Sequence, residues 1–390
     1  MSVQGFVAPG FEGVRDAFEA NFDRPGDYQE LGAALAAYRD GRLVVDLSGG
    51  FADAARTRPW TSDTLVNIWS ATKGVVAAAV AVLVDRGLID YEDRVIKIWP
   101  EFGQAGKDRV TIAQVLSHQA GLPGFAEPTS LEDQFDFADC AHKLERQAPA
   151  WTPGEATSYH AMTFGWLAGE IVRLVNGRSV GAFIAEAIAD PIGADIYVGL
   201  PDSEEHRVAE IVAPRRQAAP PNLPPAALMA LTNPAQSPTA PNRRAWRAAE
   251  IPAANGQASA LGLARLYAAL VGGGALEGAR LLSPEGIARM TAPATADGRV
   301  DQFLGFIDAW AMGVALNRPG IYGPNPDTFG HSGWGGSFGC ADPEGRIAIG
   351  YVCNQMGPEL VGDPRTAGLC QSILDAAGRH LGAGTAPGIT

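Results

Sequence analysis

Ser70 and Lys73 stand three apart in the stretch Trp69-Ser70-Ala71-Thr72-Lys73-Gly74-Val75-Val76, at the mouth of an apolar run. On a helix, residues at i and i+3 share a face. A hydroxyl beside an amine that can lose its proton is an activated nucleophile. The unpaired N–H groups of a helix start favour the oxyanion formed when a carbonyl is attacked. The same residue types also have plainer uses, Ser as a helix cap and Lys as a solvated side chain. The chain has only four lysines, Lys73, Lys97, Lys107 and Lys143, and only Lys73 has a serine three residues before it.

The element carrying this pair is predicted to run helically from Ser70 to Arg86, where Gly87 stops it. Val75, Val76, Ala79, Val80, Leu83 and Val84 make it apolar nearly all round, so it reads as a core helix. Burial disfavours an ammonium and lowers its pKa, which a base at neutral pH requires.

Before it, Phe11, Val14, Phe18 and Phe22 recur at helical spacing. Ala33–Tyr38 and Leu43–Leu47 flank Asp40-Gly41, a hairpin signal, and Gly49-Gly50 ends the second arm. After it, Thr111-x-x-Gln114 reads as a capping box for a helix through Leu116. The turn Trp151-Thr152-Pro153-Gly154 delivers Tyr159, followed by a helix through Phe164, Leu167, Ile171 and Leu174 to Asn176-Gly177. Ser179 and Ser259 cap two further helices, and Gly272-Gly273-Gly274 closes the second.

The proline-rich loop 213–241, with Pro220-Pro221 and Pro224-Pro225, is expected to be ordered and packed on the body through Leu223, Leu228, Met229 and Leu231. Trp310–Leu316 reads as one strand. His331-Ser332-Gly333 and Phe338-Gly339-Cys340 read as lying along another. Asp342-Pro343-Glu344-Gly345 fits a type I turn before a strand from Arg346 to Cys353, and Leu369, Ile373, Leu374 and Ala377 mark a closing helix. The simplest fold class is α/β of the α+β type: an antiparallel sheet built from both chain ends, flanked by helices, with a helical insertion and a ligand cleft between them. The expected division is residues 1–66 with 286–390 as the sheet unit, and 67–285 as the mainly helical unit.

Composition narrows the function. The chain has 390 residues, 46% apolar and 19% charged, with net charge −13. Such an acidic balance argues against nucleic acid or an anionic membrane as partner. No basic start followed by an apolar run suggests a secretion signal, so the cytoplasm is the expected compartment. The longest apolar run, Gly74–Val84, is too short to span a bilayer. Cys140, Cys340, Cys353 and Cys370 lack C-x-x-C spacing and read as buried free thiols. The six histidines form no metal-binding pattern, and neither G-x-G-x-x-G nor a Walker motif occurs, so no metal or cofactor is expected.

Ser70-x-x-Lys73, Tyr159 after a Trp-x-Pro-Gly turn, and His331-Ser332-Gly333 on a late strand together resemble the three motifs of class C β-lactamase and penicillin-binding-protein-like serine hydrolases. Leu88–Asp93, Leu116–Leu122 and Ala254-Asn255-Gly256 add to the likeness, which runs from about residue 30 to 375. The resemblance implies a β-lactamase-like fold and roles for matching positions. Ser70 would be acylated, and Lys73 and Tyr159 would share the proton transfers, with either as the base. The backbone N–H groups of Ser70 and Trp334 would hold the oxyanion, and His331, Ser332, Gly333 and Trp334 would line the substrate site.

Two departures from the family pattern matter. Family β-lactamases carry Tyr-x-Asn and Lys-Thr-Gly, where this chain has Tyr159-His160-Ala161 and His331-Ser332-Gly333. Ala161 offers no side-chain amide to an acylamino group. A mostly neutral His331 is a poor partner for the β-lactam carboxylate. Neither change hinders attack on a neutral ester, and the pattern resembles family VIII carboxylesterases. The expected activity is therefore serine esterase action on small, short-chain acyl esters. Acyl transfer, weak β-lactamase or D-amino-acid peptidase action, and non-catalytic binding are the alternatives. Gly335-Gly336-Ser337-Phe338-Gly339 matches G-x-S-x-G, but that elbow needs a strand, a sharp turn and a helix, and here strands follow. Trp69, Trp151, Trp334 and Phe338 are candidate walls of an acyl or alcohol pocket.

Overall fold

The computed structural model describes residues 3–216, 223–306 and 309–378. Pro220-Pro221 of the proline-rich segment lie outside them. Strand β1 (Val3–Val7) opens the chain, and β2 (Gly32–Arg39) and β3 (Arg42–Gly50) form the expected hairpin. Asp40 and Gly41 hold φ 50° and 72°, the left-handed pair that a two-residue turn needs to match strand twist. β1 runs antiparallel along β3, from Val3 opposite Gly49 to Val7 opposite Val45. Nothing in the sequence announced β1, because this edge strand leaves its three central residues exposed and so shows no apolar alternation.

Beside the helical region, β4 (Val66–Asn67), β5 (Ile196–Tyr197) and β6 (Gln257–Ala258) form a small sheet with β6 in the middle. β7 (Ala275–Leu276) and β8 (Ala279–Arg280) make a short hairpin. The C-terminal part supplies β9 (Ala309–Trp310), β10 (Ala315–Leu316), β11 (Phe329–Ser332), β12 (Phe338–Asp342) and β13 (Ile347–Cys353). The large sheet has the order β1-β3-β2-β13-β12-β11-β10-β9, with every neighbouring pair antiparallel. Both chain ends build it, as expected.

Two strand expectations need correction. Trp310–Leu316 is not one strand: the chain reverses between Trp310 and its partner Ala315, with Gly313 at φ 86° in the turn. Likewise His331 and Phe338 lie on adjacent strands, Ser332 pairing with Phe338 across a turn over residues 333–337. At the first an apolar run continues through the reversal and periodicity does not register the break, whereas at the second Gly333, Gly335 and Gly336 mark the turn.

Alternation divides the core in two. Ala33, Leu35 and Ala37 of β2 face Phe18 and Phe22 of the helix Glu12–Asp23, and Leu369 and Ile373 of the helix Pro364–Ala376. Ala34, Ala36 and Tyr38 point to the opposite face and join the larger cluster. The helix Ala260–Val271 lies there, so close that a Cβ on Gly350 of β13 would sit 2.3 Å from the Ala260 carbonyl oxygen. Small residues on this face set the helix-to-sheet distance, and Gly350→Val would force the layers apart.

The helix Thr72–Asp85 is buried along its length to Val84, as its all-round apolarity predicts, and Gly87 ends it at φ 68°. Thr111 and Gln114 make both halves of the capping box, and Ser179 and Ser259 cap their helices as expected. The proline-rich segment does pack on the body, through Leu223 as expected and through the helix Pro225–Thr232, though not by the leucines expected of that helix. Ala227 and Ala230 are buried against the cluster of Tyr159 and Trp310, while Leu228 and Leu231 stay exposed. Only small side chains let this helix approach two aromatic rings. All four cysteines are buried and free, and no helix among the described residues is long and apolar enough to cross a membrane.

Candidate active site

The turn Trp69–Ala71 leads into the helix Thr72–Asp85, so Ser70 sits at its mouth, 8% exposed. Trp69 adopts φ 46°, a left-handed conformation costing a bulky residue about 1–3 kcal/mol. Its surroundings hold it there. The Thr72 hydroxyl donates to the Trp69 carbonyl at 2.5 Å and accepts the Gly256 N–H at 2.9 Å. The Trp69 ring packs against Trp246 and Trp334, at 5.6 and 5.1 Å between centroids.

Lys73 is fully buried. Its Nζ lies 3.0 Å from Ser70 Oγ, 2.7 Å from the Ala161 carbonyl oxygen and 3.0 Å from that of Ala253. Burial pushes its pKa well below 10.5 with no acidic neighbour opposing it. A neutral amine has two hydrogens and one lone pair, and this cage matches that inventory. The two carbonyls take the two hydrogens, and the lone pair is left for the Ser70 hydroxyl proton. An ammonium would have to spend its third hydrogen on Ser70, blocking the proton transfer that activates it.

The Tyr159 ring lies beside Lys73, its centroid 4.7 Å from Nζ. It stacks on Trp310 at 5.5 Å and 11°, and the His118 ring meets it edgewise at 4.8 Å. Asp301 organises this stack. One carboxylate oxygen accepts the Tyr159, Phe303 and Leu304 N–H groups at 3.1, 2.9 and 3.0 Å, and the other accepts Trp310 Nε1–H at 3.3 Å. Burial raises the Asp301 pKa while these bonds oppose the shift. No sequence signal marked Asp301, because it stands in a loop without periodicity and its tie to the Tyr159 N–H joins distant parts of the chain.

His160 is fixed and neutral: Nδ1 donates to the Ser158 carbonyl at 2.7 Å, Nε2 accepts the Leu122 N–H at 3.1 Å, and burial lowers its pKa to about 4. Its own N–H goes to His118 Nδ1 at 3.1 Å. His160 is thus a structural tie, and Ala161, at the position of the family's asparagine, offers Lys73 its carbonyl.

The third segment arrives on β11. His331 Nδ1 is 2.9 Å from the Ser332 carbonyl oxygen, which can only accept, so Nδ1 carries the hydrogen. Burial above all lowers its pKa to about 3, so the ring is neutral. Ser332 Oγ shares a 2.6 Å hydrogen bond with Tyr322 Oη. A Cβ on Gly333 would lie 2.1 Å from the Ile68 carbonyl oxygen, so glycine lets the strand end meet the segment entering Ser70. That contact, with the Trp69–Trp334 packing, brings the two expected oxyanion donors to one place. Among the described residues, no backbone acceptor takes the N–H of Ser70 or Trp334.

Two sequence candidates fall outside the site. Ser337 is buried, accepts the Cys353 N–H at 3.4 Å and leads into a strand. Phe338 is no pocket wall: its outward alternation on β12 buries it in the far-face core between Tyr322 and Tyr351. Trp151 is half-buried, its ring 6.1 Å from that of His160.

A narrow cleft is lined by Tyr159, His331 and Ser332 together with Leu304, Ile321 and Leu360. No charged side chain among the described residues lines it. A buried base, a hydroxyl, uncommitted N–H donors and an uncharged apolar cleft are the parts needed for acyl transfer from a neutral ester.

Comparison with known proteins agrees. Residues 16–369 match the family model described as Beta-lactamase. "Esterase/beta-lactamase LipL" of Mycobacterium tuberculosis (strain ATCC 25618 / H37Rv) is 37% identical over 376 residues, 92% of this chain and 84% of that protein. The crystal structure of a family VIII carboxylesterase superposes with TM-score 0.91 at 48% identity, covering 96% of this chain and 100% of the other. A penicillin-binding protein homologue from Caulobacter crescentus gives TM-score 0.90 at 42% identity, over 96% and 100% of the two chains.

Proposed function

The chain belongs to the beta-lactamase family and is a serine hydrolase; from that premise we propose that it is a carboxylesterase acting on small, neutral, short-chain acyl esters through an acyl-enzyme on Ser70. The neutral Lys73 amine takes the Ser70 proton as Oγ bonds to the ester carbonyl carbon. The carbonyl oxygen becomes an oxyanion, held by the Ser70 and Trp334 N–H groups. On collapse the C–O bond to the alcohol breaks, and the alcohol leaves with the proton, handed on by Lys73 with Tyr159 beside it. Water then attacks the acyl-enzyme by the same proton route, releasing the acid and restoring Ser70.

The observation that carries this reading is the cleft lined by Tyr159, His331 and Ser332, which offers no cation to a carboxylate-bearing substrate. The neutral His331 stands where the family's β-lactamases have lysine. The name of the family VIII carboxylesterase supports the same choice, while that of LipL carries both activities. The test is a short chromogenic ester and a chromogenic cephalosporin assayed with the wild type and Ser70→Ala. Ester turnover far above cephalosporin turnover, abolished in Ser70→Ala, is expected. Ester turnover that survives the substitution would overturn it.

A further inference from the structure

A buried ionic cluster lies behind the turn over residues 333–337, where no step of the reaction needs one. Arg365, the second residue of the helix Pro364–Ala376, is fully buried. Its Nη1 is 3.1 Å from a Glu30 carboxylate oxygen and donates to the Gln355 carbonyl at 2.9 Å. Its Nε and Nη2 meet the Asp363 carboxylate, Nη2 at 2.6 Å. Nη2 also donates to the Gly335 carbonyl at 2.8 Å. The neighbouring Thr366 hydroxyl donates to the Gly336 carbonyl at 3.1 Å. Tyr351 donates its hydroxyl to Glu30 from the strand behind.

Taking these charges out of water is expensive, and a packed apolar core of the same volume is often as stable or more so. The arrangement has a geometric product, however. Gly335 and Gly336 hold φ 90° and 122°, conformations that leave the turn free to take other shapes. A guanidinium fork clamped by Glu30 and Asp363 is rigid, and it pins the carbonyl directly after Trp334. We propose that Arg365 is a positioning residue for the Trp334 N–H, fixing the oxyanion donor through the Gly335 carbonyl. The inference rests on the reading of Trp334 as an oxyanion donor.

Arg365→Lys keeps the charge but cannot serve Glu30, Asp363, Gln355 and Gly335 together. Expected is a roughly 10- to 100-fold fall in kcat on a short neutral ester, with KM within about threefold and phenylboronic acid affinity falling in step with kcat/KM. A boronate on Ser70 presents a tetrahedral oxygen to the same donors, so a merely structural residue would leave this readout unmoved in the folded variant. A folded Arg365→Lys with wild-type kcat and boronate affinity would overturn the proposal. If that variant does not fold, Thr366→Val decides: a fall of a few-fold in kcat at constant KM supports it, and unchanged kcat overturns it. Absence of ester turnover in the wild type would instead strike the esterase reading itself.

Discussion

The chain buries two lysines without giving either a carboxylate in direct contact, and they serve opposite ends. Lys107 Nζ is held by the carbonyl oxygens of Gln104, Glu145 and Gln147, at 3.0, 3.0 and 2.5 Å. Lys73 Nζ is held by two carbonyls and the Ser70 hydroxyl. Three carbonyls can only accept, so Lys107 finds a partner for each hydrogen of an ammonium. Burial lowers its pKa to about 8 and the Glu145 carboxylate opposes the fall, so at pH 7 it is mostly charged. Replacing one carbonyl by a hydroxyl changes the count, because a hydroxyl can give as well as take. The third ligand, and not burial alone, separates a lysine that staples a fold from one that can accept a proton.

Lys73→Met would break the contrast most severely. It removes the base, and kcat/KM on a neutral ester should fall roughly 10²–10⁴-fold. The fold should survive, because burying the amine works against folding. The sign follows from linkage. Unfolded Lys73 holds its proton up to about pH 10.5 while the folded group sheds it much lower. Folding below 10.5 therefore releases a proton, and wild-type stability declines as pH falls until the folded pKa is reached. Thermal or urea melts should accordingly shift in favour of Lys73→Met by up to ~1.4 kcal/mol per pH unit as pH falls below 10.5 toward the folded pKa.

Lys107→Met should do the reverse. It strands the buried Glu145 and Gln147 carbonyls, and urea melts at pH 7 should show a loss of about 2–4 kcal/mol. Below the melt, kcat should stay near wild type. The smallest change sharpens the role of the group beside Lys73. Asp301→Ala frees the Tyr159 and Trp310 stack, and kcat should drop on the order of 10-fold with little change in KM. A steady-state assay on the short ester reads both parameters.

Much of this was legible from local signals. The hairpin at Asp40-Gly41, the capping box at Thr111 and the buried helix after Ser70 each depend on residues within one turn of one another. The Ser70–Lys73 contact was readable for the same reason. The ligands that decide the state of Lys73 were not, because Ala161 and Ala253 act through carbonyl oxygens that any residue could supply. Asp301 and Arg365 escaped likewise, since each ties together distant parts of the chain, Asp301 through the Tyr159 N–H and Arg365 through the Gly335 carbonyl and Glu30. Phe338 was misplaced because a residue near the site in sequence can point to the opposite face of a strand. The reversal at residues 311–314 was missed where the apolar pattern ran on through a turn, and that at 333–337 because its glycines were not read as a turn.

The central claim is that Lys73 meets Ser70 as a neutral amine. The pH dependence of kcat/KM on a neutral short-chain ester tests it most directly, between pH 5 and 11 with stability checked at each point. The predicted profile rises through an apparent pKa far below 10.5 and levels off well before pH 10. A rate that climbs steadily to pH 10, following an ordinary ammonium or phenol, would contradict it.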